Sequence, residues 1–248
     1  MAVIWRKKHE GSIYEVRAAG RSRRLYTNGV FHTQYNPARV VTGGIWDLLM
    51  IPAFFKPLEE IKRVLVMGVG GGAVIRQLNR FTSPDSIIGI ELNPIHLYVA
   101  KKYFGVGNSE AELIEADAVA WLKEYSGPPF DLIIDDLFTE EEGEPVRAVA
   151  ADSDWLKLIT DNLNKNGMLV MNFISSETLK SCALFNKTKN PFYHAAFQIS
   201  MPIYDNAIGI FLGFDATSTD LRMNLKSQPR LGASLNNNNL NYTIRRLF

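Results

Sequence analysis

Residues 63–78, RVLVMGVGGGAVIRQL, run from apolar residues into a glycine cluster and then into a helical segment. A strand, a tight turn and a helix in this order begin a βαβ unit, and glycines there let the backbone approach a ligand because no Cβ is in the way. The amides that start the helix would face that ligand. The string from Gly68 to Ala73 also satisfies the loose pattern G-x-G-x-x-[G/A], so the turn alone predicts a nucleotide without specifying which one.

Strands and helical stretches alternate through the rest of the chain, and the apolar runs LIID and MLVMNF are typical of strands covered on both faces. This alternation predicts parallel βαβ units with right-handed crossovers, and therefore an α/β, doubly wound, Rossmann-like sheet. We predict strands at 64–67, 87–91, 111–115, 131–135 and 168–173. A helix is expected to begin at Asp152 or Ser153, both good N-caps, and to end at Asn166-Gly167.

The two ends of the chain differ from this parallel pattern. Residues 1–42 contain short β segments and a tight-turn signal at Asn28-Gly29, so we predict a small N-terminal β segment at 1–42 and a Rossmann-like domain at 43–248. The late segments AAFQISMPIY and AIGIFLGF are close together in sequence, which predicts an antiparallel hairpin. A parallel sheet closed by such a hairpin is typical of the class I S-adenosylmethionine-dependent methyltransferase fold.

Composition argues against several classes of partner and site. The 27 Lys and Arg against 26 Asp and Glu leave a net charge of +1, so we expect no nucleic acid or membrane as partner. No stretch reaches the roughly 18 apolar residues of a membrane span, and no signal peptide is visible, so a cytoplasmic protein is expected. The single cysteine and four scattered histidines predict neither an intrachain disulfide nor a metal site.

Carboxylates follow two of the predicted strands. Glu91 ends the second strand about twenty residues after the glycine turn, where it could accept both hydroxyls of a ribose. NAD and S-adenosylmethionine share that feature. Asp117 follows the third strand and could accept from an adenine amino group, which favours an S-adenosyl ligand. Helix N-capping is the alternative role for both residues.

Asp135 and Asp136 end the fourth predicted strand, at the sheet edge where open α/β sheets bind ligands. Neighbouring side chains on a strand point to opposite faces, so at most one of these carboxylates can enter the site. We favour Asp136 as a catalytic base or an orienting group. The alternative is a salt bridge or a cap for the following segment.

Taken together, these segments make the chain resemble the spermidine synthase family of aminopropyltransferases over nearly its whole length. The segments that carry the resemblance are RLYTNGVFHTQ, VLVMGVGGGAVIRQL, IGIELNP, FDLIIDDLFTEE and SMPIYDNAIGIF. The resemblance places Tyr204 on the family's active-site tyrosine, Asp136 on the first aspartate of its D-S-S-D-P motif, and His32 where a glutamine is expected. It also implies a possible homodimer.

The chain departs from the family pattern at three positions. The glycine-loop aspartate, which holds the amine of decarboxylated S-adenosylmethionine in the family, is replaced by Gly71. The second motif aspartate falls on Thr139, although Glu140, Glu141 and Glu142 could substitute for it. The tyrosine expected before the first long helix falls on Ile45 or Trp46.

The change at Gly71 suggests intact S-adenosylmethionine as cofactor. A carboxylate there would repel the cofactor's own carboxylate by as much as about 4 kcal/mol at roughly 4 Å and an effective dielectric near 20. We therefore expect a methyltransferase of the spermidine-synthase-like branch. Asp136 and Tyr204 would be catalytic and face an unidentified small-molecule or protein acceptor. The cofactor-binding residues would be Gly68, Gly70, Gly71, Gly72, Glu91, Asp117 and His32.

Three alternatives to methyl transfer stay open at the level of the sequence. The first is a divergent polyamine aminopropyltransferase that uses decarboxylated S-adenosylmethionine and pairs Asp136 with an acidic group from 140–142. The second is a protein that binds the nucleotide without catalysis. The third is a nicotinamide oxidoreductase, which the loose glycine pattern permits.

Overall fold

The computed structural model describes residues 1–141, 143–185, 191–229, 231 and 240–248. The chain begins with an antiparallel four-stranded sheet, in which each strand pairs with the next one along the chain. Its strands are β1 (Ala2–His9), β2 (Ser12–Ala19), β3 (Ser22–Thr27) and β4 (Val30–Tyr35). Asn28 and Gly29 connect β3 to β4 with φ of 50° and 88°, as a tight hairpin turn with two left-handed residues requires.

The remaining strands form a large mixed sheet and a small hairpin. The mixed sheet contains β5 (Arg63–Met67), β6 (Ser86–Glu91), β7 (Glu112–Glu115), β8 (Phe130–Asp135), β11 (Leu163–Phe173), β12 (Ala195–Ser200), β13 (Ala207–Leu212) and β14 (Thr243–Arg246). The hairpin consists of β9 (Phe138–Glu141) and β10 (Glu144–Arg147).

Seven α-helices accompany these strands in the part of the chain that the structure describes. They are α1 (Ile45–Met50), α2 (Ala73–Phe81), α3 (Pro94–Tyr103), α4 (Ala118–Glu124), α5 (Ser153–Asp161), α6 (Ser176–Lys180) and α7 (Ser218–Ser227). A 3₁₀ turn at Ile51–Phe55 continues α1, and all of its residues are buried.

The order of strands in the mixed sheet is β14-β12-β13-β11-β8-β5-β6-β7. From β5 the chain adds β6 and β7 on one side, and it then returns to place β8 on the other side of β5. These strands are parallel, whereas β13 pairs antiparallel with β11 and β12. The predicted fold class and terminal hairpin are confirmed, and the reversal between β5 and β8 is the point at which such sheets bind ligands.

Two apolar layers cover the mixed sheet, and a third cluster attaches the first sheet to it. Alternate residues of each central strand enter opposite layers: Val64 and Val66 pack on one face of β5, and Leu65 and Met67 on the other. The third cluster joins β2 and β3 to α3 and consists of Tyr14, Val16, Leu25, Ile95, Val99 and Phe104. The predicted domain boundary between residues 42 and 43 stays a prediction.

Two features differ from the sequence-based expectations. Helix α5 ends at Asp161 and not at Asn166, because Leu163 already pairs with Phe130 in the sheet and an irregular register accommodates the residues up to Met168. Asp152 is its N-cap, as expected. The segment after β8 contains the β9–β10 hairpin, with Gly143 at φ 87° in its turn. Within the described ranges, the helices are too short or too polar to cross a membrane.

Candidate functional site

The glycine turn lies at the reversal point of the mixed sheet, directly against the end of β8. Gly68 has a φ of 85°, and a Cβ there would overlap the carbonyl oxygen of Asp136. The amide of Asp136 in turn donates to the carbonyl of Met67 at 2.9 Å. Gly72 starts α2 with φ 75°, and a Cβ there would lie 2.5 Å from Val106 Cγ2. Gly68 and Gly72 are therefore required, because their backbone is left-handed and because neighbouring atoms leave no space for a Cβ.

Glu91 connects the end of β6 to this turn. Its Oε2 accepts from the amide of Gly70 at 2.8 Å, and its Oε1 accepts from the amide of Asn93 at 2.9 Å. Burial disfavours the charge, but the hydrogen bond and charge of His96 and the two amides outweigh it and hold the pKa of Glu91 below its usual value. A carboxylate has about four acceptor sites, so Glu91 can also accept ribose hydroxyls.

His32 lies beside Glu91 and the glycine turn, as part of a histidine pair. Its ring centroid is 4.8 Å from that of His96, and its carbonyl oxygen would be 3.8 Å from a Cβ at Gly70. Burial, reinforced by His96, lowers the pKa of His32 to about 4, so the ring is neutral at physiological pH. Its Nε2 is buried and has no hydrogen-bond partner among the residues that the structure describes. The role of His32 in cofactor binding stays a prediction.

Sequence reasoning missed His96 because the pairing joins β4 to α3, and no local spacing reports it. Its Nε2 lies 3.0 Å from Thr27 Oγ1, and its Nδ1 lies 3.8 Å from Glu91 Oε1. His96 therefore connects Glu91 to Thr27 of the first sheet. No group of three or more His, Cys, Asp or Glu suited to a metal ion occurs among the described residues.

Asp117 lies at the outer side of this region, after the edge strand β7. It is exposed, and its Oδ1 caps α4 by accepting from the amide of Ala120 at 2.8 Å. The N-cap alternative thus describes its contact in this structure. One carboxylate oxygen is engaged in this way, so a contact with adenine stays a prediction.

The two aspartates at the end of β8 point in opposite directions, as their alternation on a strand predicts. Asp135 is fully buried and accepts from Arg147 Nη2 and Trp155 Nε1, both at 2.8 Å. Asp136 instead accepts from Asn172 Nδ2 at 2.8 Å through its Oδ1. Asp135 therefore forms the structural salt bridge, whereas Asp136, whose backbone packs against Gly68, has its carboxyl bound to Asn172.

The surroundings of Asp136 suit it to accept a proton. Loss of water around the carboxyl raises its pKa to about 7, with Asp135 and Glu91 acting in the same direction and Asn172 and Arg147 opposing them. A base with a pKa near the working pH is both available in its ionised form and strong enough to take a proton. The site can therefore activate a nucleophile that carries an acidic hydrogen.

Tyr204 lies in the turn between β12 and β13 and is half-buried against the core layer that includes α1. Burial raises the pKa of its hydroxyl, so it is a neutral phenol. The same turn contributes Asn206, whose Nδ2 donates to Asn172 Oδ1 at 3.0 Å. The sequence analysis did not single out Asn172 or Asn206. A polar residue near the end of the otherwise apolar strand MLVMNF was the available signal.

The acidic residues proposed to replace the second motif aspartate lie on the β9–β10 hairpin. Thr139, Glu140 and Glu141 are exposed, and Glu142 lies outside the described residues. Glu140 Oε2 accepts from Asn28 Nδ2 at 3.1 Å, which links the hairpin to the first sheet. Ile45 and Trp46 are buried in α1 and carry no hydroxyl.

The glycine at position 71 has a packing explanation. A Cβ there would overlap Thr33 Cγ2 and lie 3.1 Å from Phe104 Cδ1. Thr33 is buried and β-branched, so its methyl group has little freedom to move away. The position therefore has no room for any side chain, and its glycine carries no information about the charge of the ligand.

We expect Gly71→Asp and Gly71→Ala to destabilise the protein to similar extents. Overpacking costs about 1–3 kcal/mol, which lowers the melting temperature by a few degrees in a chain of this size. Thermal unfolding of both variants measures this, and Thr33→Ser, which removes the obstructing methyl group, should recover part of the loss in the Gly71→Ala background. Normal stability of Gly71→Asp with tighter binding of decarboxylated S-adenosylmethionine would contradict the packing explanation.

Comparison with known proteins finds a matching family model and curated relatives. The model of the spermine/spermidine synthase domain matches residues 47–222. Polyamine aminopropyltransferase 2 of Caldanaerobacter subterraneus subsp. tengcongensis is 26% identical over 161 residues, which cover 64% of this chain and 50% of the relative. The chain thus spans half the length of that curated relative.

Solved structures share the fold at low sequence identity. Spermidine synthase from Thermotoga maritima matches with a TM-score of 0.66 and 16% identity over 92% of this chain and 78% of that one. Human methyltransferase-like protein 13, in complex with SAH, matches with a TM-score of 0.60 and 16% identity over 77% of this chain and 91% of that one.

The expectation of a methyltransferase is wrong. The matched family and the curated relatives are spermine/spermidine synthases and polyamine aminopropyltransferases, and the methyltransferase neighbour shares the fold alone. Close packing against Thr33 accounts for Gly71, so the glycine does not indicate the loss of a charge that would favour intact S-adenosylmethionine. The chain belongs to the spermine/spermidine synthase domain family.

Proposed function

We propose that the protein is a polyamine aminopropyltransferase that uses decarboxylated S-adenosylmethionine as the donor. The observation that carries the proposal is Asp136, whose carboxyl has a pKa raised to about 7 and whose backbone packs against Gly68 of the glycine turn, at the reversal point of the sheet. Membership of the spermine/spermidine synthase domain family supports the same reaction.

The donor would lie across the ends of β5 and β6. Gly68 and Gly70 have no side chains, so the donor could approach the backbone of the turn closely. Glu91, which is held by the Gly70 amide, would accept the ribose hydroxyls. Asp117 would face the adenine. The unpartnered Nε2 of His32 gives the site a neutral polar atom near the turn, where the family pattern has glutamine.

The reaction needs one proton acceptor and correct positioning. The attacking amine is cationic at neutral pH, and transfer of one proton to the ionised carboxylate of Asp136 frees its lone pair. The nitrogen then attacks the propyl carbon bonded to the sulfonium. The N–C bond forms as the C–S bond breaks, and the bonding electrons stay on sulfur. The products are an amine extended by an aminopropyl group and neutral methylthioadenosine.

The acceptor would be a diamine or polyamine held by few charges. Asp136 supplies one carboxylate, whereas the second motif position is Thr139. Glu140 and Glu141 on the exposed β9 strand offer negative charge where the hairpin contacts the first sheet. This arrangement favours an acceptor long enough to extend from Asp136 toward the hairpin.

Product analysis tests the proposal directly. We expect incubation with decarboxylated S-adenosylmethionine and putrescine, spermidine or a longer amine to give equal amounts of methylthioadenosine and an extended polyamine. Donor at a hundred times its dissociation constant should add about 2.7 kcal/mol of stability, or roughly 5–10 °C in melting temperature. Greater stabilisation by intact S-adenosylmethionine or by NAD, with no extended polyamine formed, would overturn the proposal.

A further inference from the structure

Two asparagines link Asp136 to the turn that contains Tyr204. Asn206 Nδ2 donates to Asn172 Oδ1 at 3.0 Å, and Asn172 Nδ2 donates to Asp136 Oδ1 at 2.8 Å. Asn172 is buried, and its backbone carbonyl accepts from Arg147 Nη1 at 2.7 Å. Its register opposite Ile208 in the β11–β13 pairing brings it next to the turn. The backbone of Asn172 is thus held in place while its side chain bridges two elements.

The direction of this bridge matters because an amide is asymmetric. A primary amide presents an acceptor oxygen on one side and a donor nitrogen on the other. With its oxygen engaged by Asn206, Asn172 must turn its nitrogen toward Asp136. A donor stabilises the ionised carboxylate, whereas an acceptor in the same place would stabilise the protonated carboxyl. By donating to Asn172 Oδ1, Asn206 therefore favours the orientation in which Asn172 donates to Asp136 and stabilises its ionised form.

We propose that Asn206 is a positioning residue that acts through Asn172 to keep Asp136 in its proton-accepting form. Asn172 occupies Oδ1 of Asp136, and Oδ2 has no hydrogen-bond partner in the described part of the chain. Oδ2 is therefore the oxygen that receives the proton from the acceptor amine. The inference rests on the proposed aminopropyl transfer for the source of that proton, but the polarity of the bridge is a property of the protein alone.

The charged groups around Asp136 act separately from this bridge. Asp135 on β8 and Glu91 after the glycine turn oppose ionisation of Asp136, and Arg147 on β10 favours it. All three act through their charge, and none of them contacts Asn206 through a hydrogen bond in the described structure. Replacing Asn206 by alanine therefore removes one of the two hydrogen bonds that orient the Asn172 amide and leaves these charges in place.

A titration of the Asp136 carboxyl tests the proposal without any substrate. The probe is the ¹³C NMR signal of aspartate-labelled protein, assigned by its loss in Asp136→Asn. We expect Asn206→Ala to raise the titration midpoint of Asp136 by up to about one pH unit, which corresponds to the full loss of one neutral hydrogen bond to the carboxylate. Asn172→Leu, which removes the donor itself, should raise the midpoint at least as much. Asp205→Asn changes an exposed charge in the same turn and should leave the midpoint unchanged.

The outcomes separate the bridge from the proposed activity. An unchanged midpoint in both Asn206→Ala and Asn172→Leu would overturn the inference, as would an equal shift in Asp205→Asn. A shifted midpoint in a protein that transfers no aminopropyl group would support the bridge and refute the proposed function. In an active protein, the acid limb of the kcat/KM profile should move with the midpoint in Asn206→Ala while the KM for the donor stays constant.

Discussion

Asp136→Asn should abolish most of the aminopropyl transfer while leaving the fold intact. The amide keeps the shape of the carboxyl and its contact with Asn172, but it cannot accept the proton of the incoming amine. Removal of a general base lowers the rate by about 10²–10⁴-fold. The wild-type kcat/KM should fall about tenfold per unit as the pH drops below about 7, following protonation of Asp136. The variant should lose this dependence, and Asp205→Asn serves as the control for a charge change.

The same substitution should not reduce stability at alkaline pH. The folded pKa of Asp136, about 7, lies above the ordinary value of 3.8, so folding favours the protonated carboxyl. The stability from this group is fully present below pH 4 and is lost as the pH rises through 7. Asparagine avoids that loss, so the melting temperature of the variant at pH 8 should equal or exceed that of the wild type. Near-normal activity, or a marked loss of stability at pH 8, would contradict the assigned role.

Arg147→Met should cause the largest loss of stability among the substitutions considered. Arg147 donates to Asp135 at 2.8 Å, to the carbonyl of Asn172 at 2.7 Å and to the carbonyl of Val149 at 3.1 Å. Its removal leaves the fully buried carboxylate of Asp135 with Trp155 as its side-chain donor. Breaking a buried ion pair on one side costs about 3–5 kcal/mol, or roughly 10 °C in melting temperature here.

A second substitution distinguishes the buried charge from lost packing. If the unpaired charge of Asp135 causes the damage, Asp135→Asn in the Arg147→Met background should restore part of the melting temperature. Arg6→Met is the matched control. Arg6 Nε lies 3.5 Å from Glu15 Oε1, and 61% of the Arg6 side chain is exposed. Such surface ion pairs contribute little to the free energy of unfolding. The charge explanation fails if the double variant is no more stable than Arg147→Met, or if Arg6→Met is equally damaging.

The sequence was sufficient for those features of the site that depend on local rules. The alternation of side chains along a strand separates Asp135 from Asp136, and the glycine turn after a buried strand locates the ligand-binding edge. Partners could not be read in this way. Arg147, Asn172 and His96 reach the site from other elements, and only the three-dimensional arrangement shows which group each one contacts.

Gly71 shows why one inference from the sequence failed. An aligned position that loses a carboxylate suggests a change in charge, and the calculated repulsion made that explanation attractive. The deciding contact involves Thr33, whose approach depends on how the first sheet packs against α3. The predicted end of α5 was too late in the chain for a related reason. Helical propensity does not reveal that Leu163 already pairs with β8 in the sheet.

The cluster between the first sheet and α3 sets an order of events during synthesis. Tyr14, Val16 and Leu25 leave the ribosome well before Ile95, Val99 and Phe104, which cover them in the finished protein. Chains are synthesised at about 5–20 residues per second, so the apolar face of the first sheet stays exposed for several seconds before α3 is available to bury it. The nascent first sheet cannot complete its packing alone, and the close packing of Thr33 and Phe104 around Gly71 forms only after the helix following β6 has emerged.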